Sequence, residues 1–311
     1  MNNPILITGA AGFIGSNLAR YFVDRKSEVN IIIKKNTNIW RIKDIISKLN
    51  VFYGDLTNKK RITNIIKQIK PKTIFHLATH GAYPDQNCAE KIKKIALDST
   101  IHLVNQCKKY SFSVFINTGS SSEYGFKRKS MRENDVLEPN SYYSVFKCAA
   151  TLYCQYESLN SNINITTIRP FHIYGPYERQ SRLIPTLIQK MLKKKKVKLV
   201  SSNITRDLVY IDDAIEFYLE VAKQKKLRGE IFNLGSGKKT SIKKIYNLLS
   251  KITNYSKKNK WNSMKKRKWD QTIWYSNNNY VKEKLKWKPK INLKNGLIKT
   301  IDWYLQHEKK S

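Results

Sequence analysis

The sequence predicts an α/β fold: a doubly wound parallel sheet followed by a smaller C-terminal lobe. Three observations carry this. Apolar strand-like runs alternate with helical stretches through the first half, and the first run ends in a turn with regularly spaced glycines. The 311 residues also suffice for a large buried core.

The runs fall at residues 4–8, 29–33, 50–53, 73–78, 112–118 and 163–169. Helices are expected near 14–23, 38–48, 59–69, 89–109 and 142–159. Such alternation implies right-handed crossovers and a parallel sheet covered on both faces. The first unit is the most informative. Ile5, Leu6 and Ile7 lead into Gly9, Gly12 and Gly15, and Ile14, Leu18, Tyr21 and Phe22 form the apolar face of the next helix. Gly9 permits the tight turn, Gly12 lets the backbone approach a pyrophosphate, and Gly15 lets the helix pack on the strand. The helix N-terminus then offers free N–H groups to phosphates. Three glycines elsewhere would be a plain connection; between a strand and a helix they read as a dinucleotide-binding turn.

After Arg169 and Pro170 the pattern loosens. Helices are expected near 181–194, 212–223, 241–252 and 294–307, with short strands near 197–200 and 230–233 and a Lys/Asn-rich connection at 254–272. Residues 1–170 should form the dinucleotide-binding domain, with parts of 205–235 returning to it. Residues 171–311 should mainly form a substrate-binding lobe over the carboxyl edge of the sheet.

Composition narrows the class. Hydrophobic residues make up 41% and aromatics 11%, which fits a folded domain and not a disordered one. No apolar run approaches the roughly 18 residues that span a bilayer. The opening residues enter a strand directly, without a basic segment, apolar core and cleavage site, so a cytoplasmic protein with no membrane partner is expected. Cys88, Cys107, Cys148 and Cys154 have neither disulfide nor metal-ligand spacing and read as thiols of a reduced compartment. No metal is expected. The formal charge of +36 would suit nucleic acid, but the lysines are spread along the whole chain and no nucleic-acid motif accompanies them. A lysine-rich surface on an ordinary enzyme is expected instead, with steering of polyanionic small substrates as its consequence.

Chemistry enters with Tyr143 and Lys147, four residues apart on one helical face. A lysine ammonium and a nicotinamide cation beside the phenol would lower its pKa from about 10 towards neutrality. That makes a proton donor and acceptor for hydride transfer at a carbinol or carbonyl. The run 112–118 ends in the hydroxyl-rich segment Thr118 to Gly125, where a serine could bond the reacting oxygen.

Taken together, these motifs resemble the extended short-chain dehydrogenases/reductases of the nucleotide-sugar epimerase/dehydratase family, almost end to end. The resemblance implies a Rossmann domain and a Ser120, Tyr143, Lys147 triad. It implies cofactor contacts from Gly9, Gly12, Phe13, Ile14 and Gly15, from Asp55 and Leu56, from Leu77, Ala78 and Thr79, and from Pro170, besides Tyr143 and Lys147. Tyr83, Ser121, Ser122, His172, Arg206 and Arg267 would meet a nucleotide-diphosphate sugar. Arginines suit such a diphosphate, although Arg206 could instead pair with Asp207 or Asp212. The segment Leu285 to Pro289 resembles the family's closing motif, with Lys286 in place of a glycine. A homodimer through helices near 89–109 and 142–159 is also implied.

Departures from the pattern bear on the reaction. Dehydratases of this family place an acid two positions before the tyrosine matched by Tyr124; here Ser122 stands there, and Glu123 is displaced by one. On an extended segment that step would turn Glu123 to the opposite face. Redox at a ring carbon remains. At the end of the second run stand Ile33, Lys34 and Lys35, with Arg41 beyond, and no acid to bind a ribose 2′-hydroxyl. Lys34 is thus a cofactor contact, NADP(H) is favoured over NAD(H), and a 4-ketoreductase acting on a nucleoside-diphosphate 4-keto-(deoxy)hexose is expected. An NAD-dependent 4-epimerase is the alternative. Behind both stand a 4,6-dehydratase and a non-catalytic dinucleotide-binding protein.

Overall fold

A computed structural model describes residues 1–83, 85–257, 260–263 and 272–308. Strands β1 (Ile5–Thr8), β2 (Val29–Ile33), β3 (Asn50–Tyr53), β4 (Thr73–His76), β5 (Val114–Thr118) and β6 (Ile165–Pro170) fall on the six expected runs. They are followed by β7 (His172–Tyr174), β8 (Thr205–Arg206), β9 (Leu208–Tyr210), β10 (Ile231–Leu234) and β11 (Thr240–Ser241). A seven-stranded sheet runs in the order β10-β6-β5-β4-β1-β2-β3. β1 pairs in parallel with both β2 and β4, so the strand order reverses across it. In doubly wound sheets ligands bind beyond the carboxyl ends at such a switch. Every residue of β1, β2 and β4 is buried, as expected of strands covered on both faces.

The helices are α1 (Phe13–Asp24), α2 (Lys59–Ile69), α3 (Ala89–Lys93), α4 (Ser99–Lys108), α5 (Tyr142–Asn160), α6 (Leu183–Leu192), α7 (Ile211–Lys223), α8 (Ile242–Ile252), α9 (Asn279–Leu285) and α10 (Leu293–Glu308). α2 shows how the sequence writes them. The Asn58 side chain accepts from the Arg61 amide at its start, Ile62, Ile65, Ile66 and Ile69 share its buried face, and Lys70 ends it in a left-handed conformation. Those isoleucines pack with Leu6, Ile74, Leu103 and Phe115 in one core. Burying each is worth roughly 1.5–3 kcal/mol, so truncating Ile66 to alanine would loosen helix and sheet together.

Three expected elements differ. The stretch 38–48 is not a regular helix: Ile42, Ile45 and Lys48 bond back to the carbonyls of Ile39, Ile42 and Ile45, and Ile46–Lys48 forms a 3₁₀ turn. Buried Ile42 and Ile45, three apart, give the helical signal, and tighter turns satisfy it as well. A π-helical turn, Lys94–Asp98, divides the helix expected over 89–109. The strand expected near 197–200 reduces to one bridge between Lys198 and Lys260, although Val197 and Leu199 are buried with strand-like spacing.

The chain divides into two compact units. Met1–Gly125, Glu133–Pro170 and Ile215–Phe232 form the first; Phe126–Arg132, Phe171–Ala214 and the chain from Asn233 onward form the second. In the second unit β7 pairs in parallel with β9, and β8 pairs antiparallel with β11. Among the described residues no helix is long and apolar enough to cross a membrane.

Candidate active site

At the carboxyl end of β1, Gly9 turns the chain with a φ of +74°. A Cβ on Gly9 would stand 2.6 Å from the Ala78 amide nitrogen, so backbone and space both require glycine. A Cβ on Gly15 would run into the Gly9 carbonyl oxygen, so α1 starts directly against the turn. Gly12 is the N-cap of α1 and brings no capping side chain. The first-turn amides of Phe13, Ile14 and Gly15 thus belong to a bare helix end with a positive partial charge. Leu77 donates its amide to the Thr8 carbonyl at 3.1 Å, which places the segment after β4 beside this turn. A bare helix end on a glycine floor fits a pyrophosphate.

At the end of β2 the picture is more specific than the sequence alone. Ile33 is buried, and the half-exposed Lys34 ammonium lies 2.7 Å from the Asp55 carboxylate. Asp55 also accepts from the Thr57 amide at 2.9 Å and hydroxyl at 2.8 Å. Burial opposes ionisation of Asp55, but Lys34 and Thr57 outweigh it and hold the carboxyl below its ordinary value. The Leu56 side chain turns into the core. Arg41 approaches the glycine turn itself: its Nη1 is 3.5 Å from the Ala11 carbonyl oxygen, and its guanidinium sits 4.5 Å from the Trp40 ring centroid.

Ser141 caps α5, and Tyr143 and Lys147 follow one turn apart. The Ser120 and Thr79 side chains act on the Tyr143 phenol as hydrogen-bonding neighbours, so Thr79 serves the phenol as well as standing in the segment assigned to the cofactor. Lys147 Nζ donates to the Thr118 carbonyl at 2.7 Å, and Thr118 Oγ1 lies 3.0 Å from the Tyr218 hydroxyl. Ser120, Tyr143 and Lys147 are thereby brought together. Neither Thr118 nor Tyr218 was singled out for a role by sequence; Tyr218 carries no local signal at all.

The electrostatics depart from expectation. Burial raises the Tyr143 phenol above its ordinary value, against the pull of the Ser120 and Thr79 bonds and with help from Glu123 and Tyr83. The chain alone therefore does not lower this phenol, because loss of water outweighs its neighbours. Burial lowers Lys147 to about 8, opposed by the negative charge of Glu123. His76, at the end of β4, is lowered by burial and by Lys147 to about 3, so it is neutral between the Thr8 and Thr100 hydroxyls.

The segment after β5 is not extended. Ser121–Tyr124 forms a 3₁₀ turn with a capping box: Ser120 Oγ accepts from the Ser122 amide at 3.1 Å, and Glu123 Oε1 accepts from the Ser120 amide at 2.7 Å. The alternation expected of a strand therefore does not set the direction of Glu123. Its other carboxylate oxygen accepts from Arg169 Nε at 2.8 Å, with both side chains at most 1% exposed. Arg169 also donates to the Tyr124 hydroxyl and the Glu133 carbonyl, each at 3.1 Å. Ser121 is buried and Ser122 partly so.

Within the second unit, His172 on β7 is held well below its ordinary value by burial and by the charges of Arg206 and Arg182. Arg206 donates to the Thr205 carbonyl at 2.9 Å. The pairing of Arg206 with a neighbouring acid is not what these acids do. Asp207 accepts from the amides of Ser236, Gly237 and Ser276 and from both serine hydroxyls, and Asp212 lies 3.6 Å from Lys299. Arg182, unremarked in the sequence, joins His172 and Arg206. Arg267 lies outside the described residues. Among the described residues, no group of three or more His, Cys, Asp or Glu side chains is placed to hold a metal ion.

A model of the NAD dependent epimerase/dehydratase family matches residues 5–235. A UDP-glucuronate 4-epimerase of Thermodesulfobacterium geofontis is 26% identical over 319 residues, covering 96% of this chain and 95% of that protein. A dTDP-D-glucose 4,6-dehydratase of Dictyostelium discoideum is 30% identical over 271 residues, covering 78% of this chain and 62% of that one. Among solved structures, a UDP-glucuronic acid 4-epimerase from Bacillus cereus in complex with UDP-glucuronic acid and NAD matches with a TM-score of 0.86. It is 26% identical, with 97% of this chain and 99% of that one covered.

Proposed function

The chain belongs to the NAD dependent epimerase/dehydratase family, and on that premise we propose that it moves a hydride to or from C4 of a nucleotide-diphosphate sugar with a nicotinamide dinucleotide. The observation that carries this reading is the meeting of Ser120, Tyr143 and Lys147 beside the glycine turn's sheet edge. The bound nicotinamide would supply or accept the hydride. Tyr143 gives its proton to the C4 oxygen in reduction and takes it back in oxidation. Ser120 orients that oxygen. Lys147, with one N–H engaged by Thr118, keeps two donors for a cofactor ribose. Arg206 and Arg182 beside His172 supply cations suited to a diphosphate.

Within that chemistry a 4-ketoreductase using NADP(H), acting on a nucleoside-diphosphate 4-keto-(deoxy)hexose, is the finer reading. Its support is the end of β2, where no acid follows Ile33 and Arg41 approaches the glycine turn. Lys34 supports it less, being paired with Asp55. An NAD-dependent 4-epimerase is the second reading, favoured by the NAD held in the 26% identical 4-epimerase structure. A 4,6-dehydratase lacks support at Ser122, and Glu123 is committed to Arg169.

A homodimer belongs to the same proposal. Tyr142, Val145, Leu152, Tyr156 and Leu159 form an exposed apolar stripe along α5, at the three-and-four spacing that packs helix on helix.

Releasing the co-purified cofactor and identifying it by mass, then supplying nucleotide sugars with NADPH or NADH, tests the reading. Consumption of NADPH by a 4-keto sugar, weakened at least tenfold by Arg41→Ser while NADH use is spared, supports the reductase. Retained NAD with interconversion of 4-epimers and no net consumption would replace it with the epimerase. Absence of both activities across uridine, thymidine, cytidine and guanosine sugars would sink the proposal.

A further inference from the structure

Two charges taken out of water persist in a core only where geometry and surrounding hydrogen bonds compensate, and apolar residues often fill the same space as stably. The Glu123–Arg169 pair is therefore informative by its position. One carboxylate oxygen of Glu123 holds the Ser120 amide, and the other holds Arg169. Arg169 is in turn fixed by the Tyr124 hydroxyl and the Glu133 carbonyl. The Cys148 thiol lies 3.6 Å from the Glu123 carbonyl, tying the 3₁₀ turn to α5 one residue after Lys147. At Gly119 a Cβ would collide with the Glu123 carboxylate, so the backbone before Ser120 leaves the room that this carboxylate fills.

We propose that the buried Glu123–Arg169 ion pair is a positioning element for proton transfer, holding Ser120 against the Tyr143 phenol and fixing a negative charge beside the Lys147 ammonium. The inference rests on the reading of Ser120, Tyr143 and Lys147 given above. Glu123 and Arg169 act through those residues and touch neither sugar nor cofactor. Two duties follow for one carboxylate. As an acceptor it fixes where the Ser120 hydroxyl stands. As a charge it favours the protonated lysine and the neutral phenol, in line with the direction of its effect on both. The other groups facing Lys147 are His76 from β4 and Cys154 on α5 itself. Those facing Tyr143 are Thr79, Tyr83 and, from α7, Tyr218.

Two substitutions separate the duties. Glu123→Gln keeps an oxygen for the Ser120 amide and removes the charge; Glu123→Asp keeps the charge and withdraws it from Ser120. The readouts are thermal melting, NADP⁺ and NAD⁺ affinity against pH, and kcat and KM with NADPH and a dTDP-linked 4-keto-6-deoxyhexose. In Glu123→Gln the pH at which cofactor affinity changes, and the alkaline limb of kcat where turnover is measurable, should move down by about one pH unit. In Glu123→Asp those positions should stay, while kcat falls about tenfold with KM unchanged. Should a lone Arg169 unfold Glu123→Gln, the double variant Glu123→Gln/Arg169→Met leaves no unpaired buried charge and should show the same downward move. Folded variants with wild-type pH profiles, wild-type kcat and only a lowered melting temperature would overturn the proposal. Tyr143→Phe run in parallel keeps the two ideas apart: activity surviving there sinks the proton-transfer reading, whatever Glu123 does.

Discussion

Tyr143 and Lys147 are pushed in opposite directions by one cause. Withdrawal of water raises the phenol and lowers the ammonium to about 8. Proton transfer from Tyr143 then depends on its hydroxyl and not on its ring, so Tyr143→Phe should lose at least about a hundredfold in kcat while cofactor affinity stays near wild type. Steady-state kinetics beside a cofactor titration check this, and a variant keeping a tenth of the rate would remove Tyr143 from the chemistry. Lys147→Met makes a less obvious prediction. Its folded value, about 8, lies below the ordinary 10.5, so the folded protein binds fewer protons between those values. The group's contribution to stability therefore rises with pH across that window, and its unfavourable effect is fully present below about 8. The lowering corresponds to about 3 kcal/mol against the buried ammonium at neutral pH. Lys147→Met should thus lose activity and cofactor affinity yet melt a few degrees higher at pH 7. A lower melting temperature would show that the bond to Thr118 outweighs the burial of charge. The shared face of Tyr143 and Lys147 was legible in sequence because helical spacing fixes it, whereas Ser120 entered only through the family resemblance. The Glu123–Arg169 pair was not, because a buried contact 46 residues apart leaves no local pattern.

Elements were legible wherever one face is apolar over several turns. α2, with four buried isoleucines, lies where its pattern puts it. The stretch 38–48 fails because two buried isoleucines fit a 3₁₀ turn as well as a helix. The bent segment after β5 fails for another reason: Ser120 and Glu123 cap one another, and that side-chain chemistry overrides the strand pattern. α5 carries a second message beyond the face that holds Tyr143 and Lys147. Leu152 is 54% exposed, Tyr156 61% and Leu159 63%, an apolar patch that a second copy of the chain would cover. Light scattering of the wild-type protein should give twice the chain mass. Leu152→Glu combined with Leu159→Glu should shift it to the monomer with secondary structure kept. A wild-type monomer at micromolar concentration, or an undisturbed dimer in the variant, would remove this face from the assembly.

At the scale of the whole chain, connectivity hides what the motifs cannot show. Tyr218 reaches Thr118 from a helix a hundred residues later, so the support behind Lys147 is completed by the returning segment of the first unit. The charge of +36, by contrast, is fully visible in the sequence and belongs to no single site. Acids are few, and among the described residues they form surface pairs such as Glu90 with Lys94, worth little in water. The remaining positive field should act on encounter with a nucleotide-diphosphate sugar and not on the chemical step. Over a Debye length of about 10 Å at 0.1 M salt such a field speeds association, and salt screens it. Raising ionic strength from about 0.05 to about 0.5 M should therefore lower kcat/KM several-fold while kcat stays within about a factor of two. Equal falls in both would place the charge effect on the bound complex. A DNA titration separates the remaining possibility. Submicromolar binding at about 0.15 M salt, with a steep dependence on salt, would make the lysines a polyanion surface in their own right. Weak binding that vanishes at that salt leaves them as the field through which a small diphosphate finds the site.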